Sequence, residues 1–180
     1  MTFWSNPTAN PSERKKNISA ARDPVRAQFD IFLSLITVTT IVFFDRFSKI
    51  YFSHSLSLNE SWPLIRGILH FTLVHNTGIA FGLFKNQGIV FIIIPVIAII
   101  LLVFNIYYYR NNQEDLSRTY IVAFSLILAG AIGNLIDRIY FGYVIDFIDF
   151  RIWPVFNVAD SAITVGAVII LLKCIPLSAK

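Results

Sequence analysis

The sequence predicts an all-α membrane protein of four transmembrane helices, with short strands lying on the outer membrane surface. Its 180 residues are 56% hydrophobic and only 14% charged, whereas soluble domains carry about a quarter charged residues. Mean hydropathy is +0.65. The apolar residues gather into four long runs, each near the ~20 helical residues needed to cross ~30 Å of hydrocarbon. These runs are rich in Ile, Leu and Val, and the chain holds 17 phenylalanines, as expected where the solvent is hydrocarbon. The single cysteine, Cys174, excludes an intrachain disulfide and a Cys-based metal cluster. It reads as a packing residue at the end of the last run.

Residues 1–28 are polar, contain Pro7, Pro11 and Pro24, and carry Arg14, Lys15, Lys16, Arg22 and Arg26. They read as a flexible basic tail. The apolar run from Phe29 to Phe44 opens the first span, about 29–51. Charged residues follow it rather than a small-residue cleavage pattern, so it reads as a retained helix and not a signal peptide. Residues 53–87 are too long for a tight turn, and "ILHFTLVHNTGIAFGLF" mixes β-favouring residues with Gly78 and Gly82, which predicts short strands. The second span, 88–109, is free of charge and ends in the interfacial aromatics Tyr107 to Tyr109; Pro95 within it is tolerable in a membrane helix. In the third, 119–137, "AGAIG" sets Ala129 and Gly133 four apart, a spacing that lets helix backbones approach closely in lipid. The fourth, 155–173, carries Asp160 near its start.

Four spans place both termini on one side. That side holds nine of the 15 Lys and Arg residues against five of the 11 acids, which leaves six of each on the other. The excess favours cytoplasmic termini. Asp45, Asp137, Asp146, Asp149 and Asp160 then all fall at the extracytoplasmic ends of the spans.

Four polar clusters sit there. "DRFSK" sets Asp45 and Lys49 four apart on one helix face, where they can pair; the ordinary alternative is a snorkelling charge pair that closes the span. "HNTGIAFG" offers Asn76, able to donate and accept at once, before a small-residue bend that is equally readable as a plain turn. "GNLIDR" puts Asn134, Asp137 and Arg138 on one face of the third span. An Asp–Arg pair that clamps helices would explain it, yet ionisable residues at membrane depth cost ~2.5–3.5 kcal/mol and mark function by default. In "VIDFIDFRIWPVFNVADSAITVG", Asp160 begins the fourth span, Asn157 precedes it by three, and Asp146 and Asp149 lie in the connection upstream. Two carboxylates brought together in a partly desolvated site share one proton, which is the acid and base set of an aspartic protease. Spacing gives only a slight preference for Asp146 over Asp149 as the partner of Asp160. There is no HExxH zinc motif and no GxSG-like nucleophile loop.

In this order, "DRFSK", "HNTGIAFG", "GAIGNLIDR", "VIDF" and "FNVADSAITVG" resemble the lipoprotein signal peptidases, the type II signal peptidase family, from about Phe29 to Leu172. The resemblance implies a four-helix transmembrane peptidase domain (29–175) with a small periplasmic β platform and an extended arm. It implies an intramembrane aspartic endopeptidase of the bacterial inner membrane that cuts prolipoproteins just before a diacylglyceryl-modified cysteine. By motif position the catalytic pair is Asp146 and Asp160, which decides against Asp149. The same carry-over makes Asp45 and Lys49 helix-end support, Asn76 and Gly78 part of the substrate-facing outer segment, and Asn134, Asp137 and Arg138 a polar shell, with Asn157 beside the pair. No cofactor and no metal are implied. The expected partners are diacylglyceryl-modified prolipoproteins, membrane lipids and cyclic lipopeptide inhibitors of the globomycin type; nucleic acid is not among them, and a monomer is expected. The long tail, 1–28, departs from the compact family pattern.

Two other classes compete. A proton-coupled transporter or channel also uses intramembrane Asp, Asn and Arg, but it predicts polar residues through the whole membrane depth. A scaffold whose charges only join helices predicts that Asp146→Asn preserves every cellular function.

Overall fold

The structure, a computed structural model, describes residues 24–78, 92–93, 95–97, 99–100, 103–104 and 117–175. Helix α1 spans Pro24–Ser55. Proline suits the first helical position, where its missing N–H leaves no bond unmade. The helix therefore begins inside the segment expected as tail and runs past residue 51 at its other end. Once the apolar run has nucleated helix, adding flanking residues costs little. At 1.5 Å per residue α1 is about 48 Å long and exceeds the hydrocarbon thickness.

Helix α2 spans Arg118–Phe141. The Ser117 hydroxyl caps it by accepting from the Thr119 amide at 3.2 Å. It stops at Gly142, whose φ of +76° places it in the left-handed region where glycine is favoured. Helix α3 spans Val158–Cys174 and starts on a capping box between Asn157 and Asp160. Val25–Ser55 and Arg118–Phe141 are long and apolar enough to cross a membrane. The expected second span, 88–109, lies mostly outside the described residues; the described positions within it are helical. Relative to the expected bounds 119–137 and 155–173, α2 runs four residues further and α3 starts three later, because Gly142 and the Asn157 cap set these ends rather than hydropathy.

Small residues set the helix packing. A Cβ added to Gly130 would lie 2.3 Å from the Ala159 carbonyl oxygen, and one on Gly166 would lie 2.6 Å from that of Ala123. Ala123 and Ala159 are fully buried at these contacts. Gly133 lies between α1 and α3: its added Cβ would meet Asp45 Oδ2 at 2.8 Å and the Ala159 Cβ at 3.2 Å. The Ala129 and Gly133 spacing is thus part of a wider small-residue surface with Gly130 and Gly166. Gly130→Ala is expected to push α2 and α3 apart and cost about 1–3 kcal/mol, read as a lowered midpoint of thermal unfolding in detergent.

Three strands form an antiparallel sheet in the order β1-β2-β3: β1 (Ser61–Ile65), β2 (Leu69–Asn76) and β3 (Val144–Asp149). The first two fall in the region where strands were expected. The third is new: the sequence left 144–149 as a connection. Its alternation is masked because Val144, Ile145, Asp146 and Phe147 are all buried, so both faces of the strand are covered. The sheet rests on the end of α1 through a core of Phe52, Leu56, Leu73, Ile145 and Phe147. The Phe52 ring lies 4.5 Å from both Phe71 and Phe147. This core fixes β3 across the ends of α2 and α3.

Candidate active site

Four charges from α1 and α2 meet beneath the sheet. Asp45, Lys49 and Asp137 are at most 1% exposed. The Lys49 ammonium spends its three protons on Asp45 Oδ2 at 3.0 Å, Asp137 Oδ2 at 2.8 Å and Asn134 Oδ1 at 3.0 Å. Arg46 closes the set, donating to Asp137 Oδ1 at 2.6 Å, Asp45 Oδ2 at 2.8 Å and the Gly133 carbonyl at 3.0 Å. Two acids thereby face two bases, so no net charge is buried in the cluster. Each carboxylate also reaches backbone elsewhere. Asp45 Oδ1 accepts from the Ala159 amide in the first turn of α3 at 3.0 Å, and Asp137 Oδ2 accepts from the Ile145 amide of β3 at 3.1 Å. One buried cluster consequently positions the two segments that carry Asp146 and Asp160.

Those two carboxylates belong to a single hydrogen-bonded network. Asp146 is buried and accepts from Asn76 Nδ2 at 2.9 Å and from Asn157 Nδ2 at 2.7 Å. Asn157 Nδ2 also reaches Asn134 Oδ1 at 3.0 Å, and Asn134 Nδ2 donates to Asp160 Oδ1 at 2.7 Å. The second Asp160 oxygen accepts from the Asn157 amide at 3.3 Å, while the Asp160 amide donates to Asn157 Oδ1 at 2.9 Å. Asparagines suit this task because each donates and accepts at once. Asp160 is only half-buried, so the network opens on its side. Burial pushes the Asp146 carboxyl up to about 7, helped by the nearby charge of Asp160 and opposed by Asn76, Asn157 and the charge of Lys49.

Asp149 lies elsewhere. Three residues along a strand is an odd step, so it points to the opposite face from Asp146. It accepts from the Thr72 hydroxyl at 2.7 Å and the Arg151 amide at 2.8 Å. Burial acts to raise its carboxyl, but these hydrogen bonds and the charge of Arg151 outweigh it and hold the group below its ordinary value.

The remaining predicted residues divide between the two clusters. Gly78 donates its amide to Asn76 Oδ1 at 3.0 Å, which orients the Asn76 side chain toward Asp146. The expected pair of Asp137 with Arg138 gives way to Asp137 with Lys49 and Arg46, because the turn of α2 that carries Asp137 packs on α1. Arg138 donates to the Asn134 carbonyl at 3.3 Å and lies within electrostatic reach of Asp160, Asp146 and Asp137. Arg46 was missed. It stands inside "DRFSK", but its neighbours in sequence carry the i, i+4 signal and it does not. Among the described residues, no three His, Cys, Asp or Glu side chains gather as a metal-binding set.

Long apolar helices, a small capping sheet and a buried acid network at one end define a membrane protein built around carboxylates. Residues 37–176 match the family model for signal peptidase (SPase) II. The lipoprotein signal peptidase of Halothermothrix orenii is 42% identical over 137 residues, 76% of this chain and 91% of that protein. That of Moorella thermoacetica is 44% identical over 137 residues, 76% and 88% of the two chains. A solved bacterial membrane enzyme superposes with a TM-score of 0.69 at 34% identity, covering 82% of this chain and 94% of its own. The chain belongs to the lipoprotein signal peptidase family, signal peptidase II, and is a membrane peptidase.

Proposed function

We propose that the chain is an aspartic endopeptidase of the bacterial inner membrane that removes signal peptides from prolipoproteins, cutting on the N-terminal side of a diacylglyceryl-modified cysteine. Membership of the family supports the prolipoprotein substrate. The observation that carries the aspartic mechanism is the unbroken path Asp146–Asn157–Asn134–Asp160, and burial supports it by pushing the Asp146 carboxyl up to about 7.

In this mechanism one carboxylate takes a proton from water as the water attacks the peptide carbonyl. The other, protonated, gives its proton to the carbonyl oxygen and the departing amine then receives one in turn. Asn76 and Asn157 hold Asp146, Asn134 holds Asp160, and Asp45, Lys49, Asp137 and Arg46 keep the helix ends and β3 in register beneath them. Arg138 balances the charge that remains when the pair shares one proton. Gly78 and Asn76 form the substrate-facing edge.

The architecture proposed around this site is a four-span domain, 29–175, with helix through 88–109 as its second span, both termini cytoplasmic, and a periplasmic sheet and arm between spans one and two. The chain acts as a monomer, and residues 1–28 precede the domain on the cytoplasmic side. The lipid chains of the substrate stay in the bilayer while its cysteine meets the pair at the outer boundary, and their binding energy positions the scissile bond.

The test is purified protein in lipid with a diacylglyceryl-modified precursor and the same precursor unmodified. Mass spectrometry is expected to place the new N-terminus at the modified cysteine. The unmodified precursor is expected to stay intact, and a cyclic lipopeptide of the globomycin type to block the reaction. A cut elsewhere, or equal cutting of both precursors, overturns the reading.

A further inference from the structure

We propose that one end of the sheet is a lipid anchor: the tip of the β1–β2 hairpin and the loop after β3 insert into the boundary between headgroups and acyl chains of the outer leaflet. The register places the two segments together. Pro63, His70 and Asp149 lie side by side across the three strands. Leu64 to Leu69 continue beyond that row as the hairpin tip, and Phe150 to Trp153 continue beyond it at the same end.

Both segments present large apolar side chains to the outside. Leu64, Ile65 and Ile68 are exposed at the tip; in the loop Ile152 is 94% exposed and Trp153 61%. In water such a patch would be costly to leave bare. The loop is also tied to the rest of the sheet. Arg151, with φ of +67°, donates from Nη2 to His70 Nδ1 at 2.7 Å and to Ser61 Oγ at 3.2 Å, and its Nη1 lies 3.4 Å from Asp149 Oδ2. The apolar residues that follow it leave the sheet from this anchored arginine.

The position of the patch selects its occupant. Phe150 stacks on Phe156 with ring centroids 5.9 Å apart, and Phe156 immediately precedes Asn157, the cap of α3. The loop thus sits beside the point where α3 starts, at the end of the helix that the proposed topology sets at the outer leaflet. The chemistry agrees: a tryptophan and isoleucines at the end of the sheet that also carries Arg66 match an interface where rings and aliphatic chains meet lipid phosphate. The inference rests on α3 entering the bilayer at its N-terminal end, and not on the catalytic pair.

The test uses the full chain with Trp4→Phe and Trp62→Phe, so that Trp153 is the one fluorophore of its kind, reconstituted in phosphatidylcholine–phosphatidylglycerol vesicles. Lipids brominated high on the acyl chain are expected to quench Trp153, and acrylamide in the water is expected to quench it several-fold less than free N-acetyltryptophanamide. A second variant, Cys174→Ser with Ile152→Cys carrying an environment-sensitive dye, repeats the measurement at the neighbouring position. Full acrylamide access without quenching by brominated lipid overturns the proposal. So does protection in vesicles accompanied by disulfide cross-linking of Ile152→Cys between copies, which would make a second chain the occupant. Precursor cleavage is followed in parallel. Loss of lipid contact with cleavage intact removes the anchor alone, whereas lipid contact without cleavage removes the proteolytic reading alone.

Discussion

Asp146→Asn is expected to lower the cleavage rate by about 10³-fold or more, and Asp160→Asn by a similar factor, since each removes one partner of a general acid and base pair. Asparagine keeps the volume of the side chain and one acceptor oxygen but can neither take a proton from water nor deliver one. At position 146 it also removes the carboxylate whose charge is penalised by burial. Against this, Asn76 and Asn157 both donate to Asp146, and one of them would then face an amide N–H₂, at about 1–3 kcal/mol. These effects oppose one another, so thermal unfolding is expected to change far less than the rate. The double variant is expected to be no slower than either single one, because the two groups act as a unit. Asp149→Asn should leave the rate within a few-fold of the original, since Asp149 is tied to Thr72 and Arg151 on the other face of β3. Single-turnover release of the signal peptide, with unfolding measured on the same samples, decides; wild-type cleavage by either Asp146→Asn or Asp160→Asn removes the assigned pair.

The pH profile carries the same logic. Asp146 sits above the ordinary carboxylate value, at about 7, so the protonated form persists to near neutrality. As pH rises through that value the pair loses its proton and with it the acid, and the rate is expected to fall about tenfold per unit. On the acid side a second proton removes the base, which gives a bell whose limbs belong to the pair and not to either residue. In Asp149→Asn the alkaline limb should not move.

The sequence made some of this legible and hid the rest for identifiable reasons. Long apolar runs reveal helices by length alone, and i, i+4 spacing correctly joined Asp45 to Lys49. Which acid Asp146 or Asp149 would turn inward could not be read while 144–149 passed as a connection. A strand has parity, so two residues three apart face opposite ways, and a loop offers no such rule. β3 was hidden because burial on both faces erases alternation. The partner of Asp137 was misread for a different reason: Arg138 is its neighbour along the chain, but α1 and α2 bring Lys49 and Arg46 against it. Local spacing sees one helix at a time. Arg46 reaches Asp137 with a long side chain from a position that helical periodicity does not single out.

Lys49→Met is expected to be the most damaging change outside the catalytic pair. Methionine fills most of the volume, so the effect isolates the charge. Lys49 is 1% exposed and touches two carboxylates that are fully buried. Removing it leaves Asp45 and Asp137 with Arg46 as their remaining base in the cluster, and stranding a buried charge in this way costs about 3–5 kcal/mol. Arg46→Gln should cost less, because its side chain is 23% exposed and water can reach the vacated end. The loss also spreads to the site. Asn134 Oδ1 accepts from Lys49 and from Asn157, while its amide holds Asp160; without the ammonium that oxygen keeps only the bond from Asn157, and Asn134 holds Asp160 less firmly. Cleavage by Lys49→Met should therefore fall further than the fraction of unfolded protein explains. The double variant Lys49→Met with Asp45→Asn removes the charge that Lys49 neutralised, and it is expected to unfold at a higher temperature than Lys49→Met alone. Coupling of this kind separates a buried ion pair from simple loss of packing, which predicts that the two costs add.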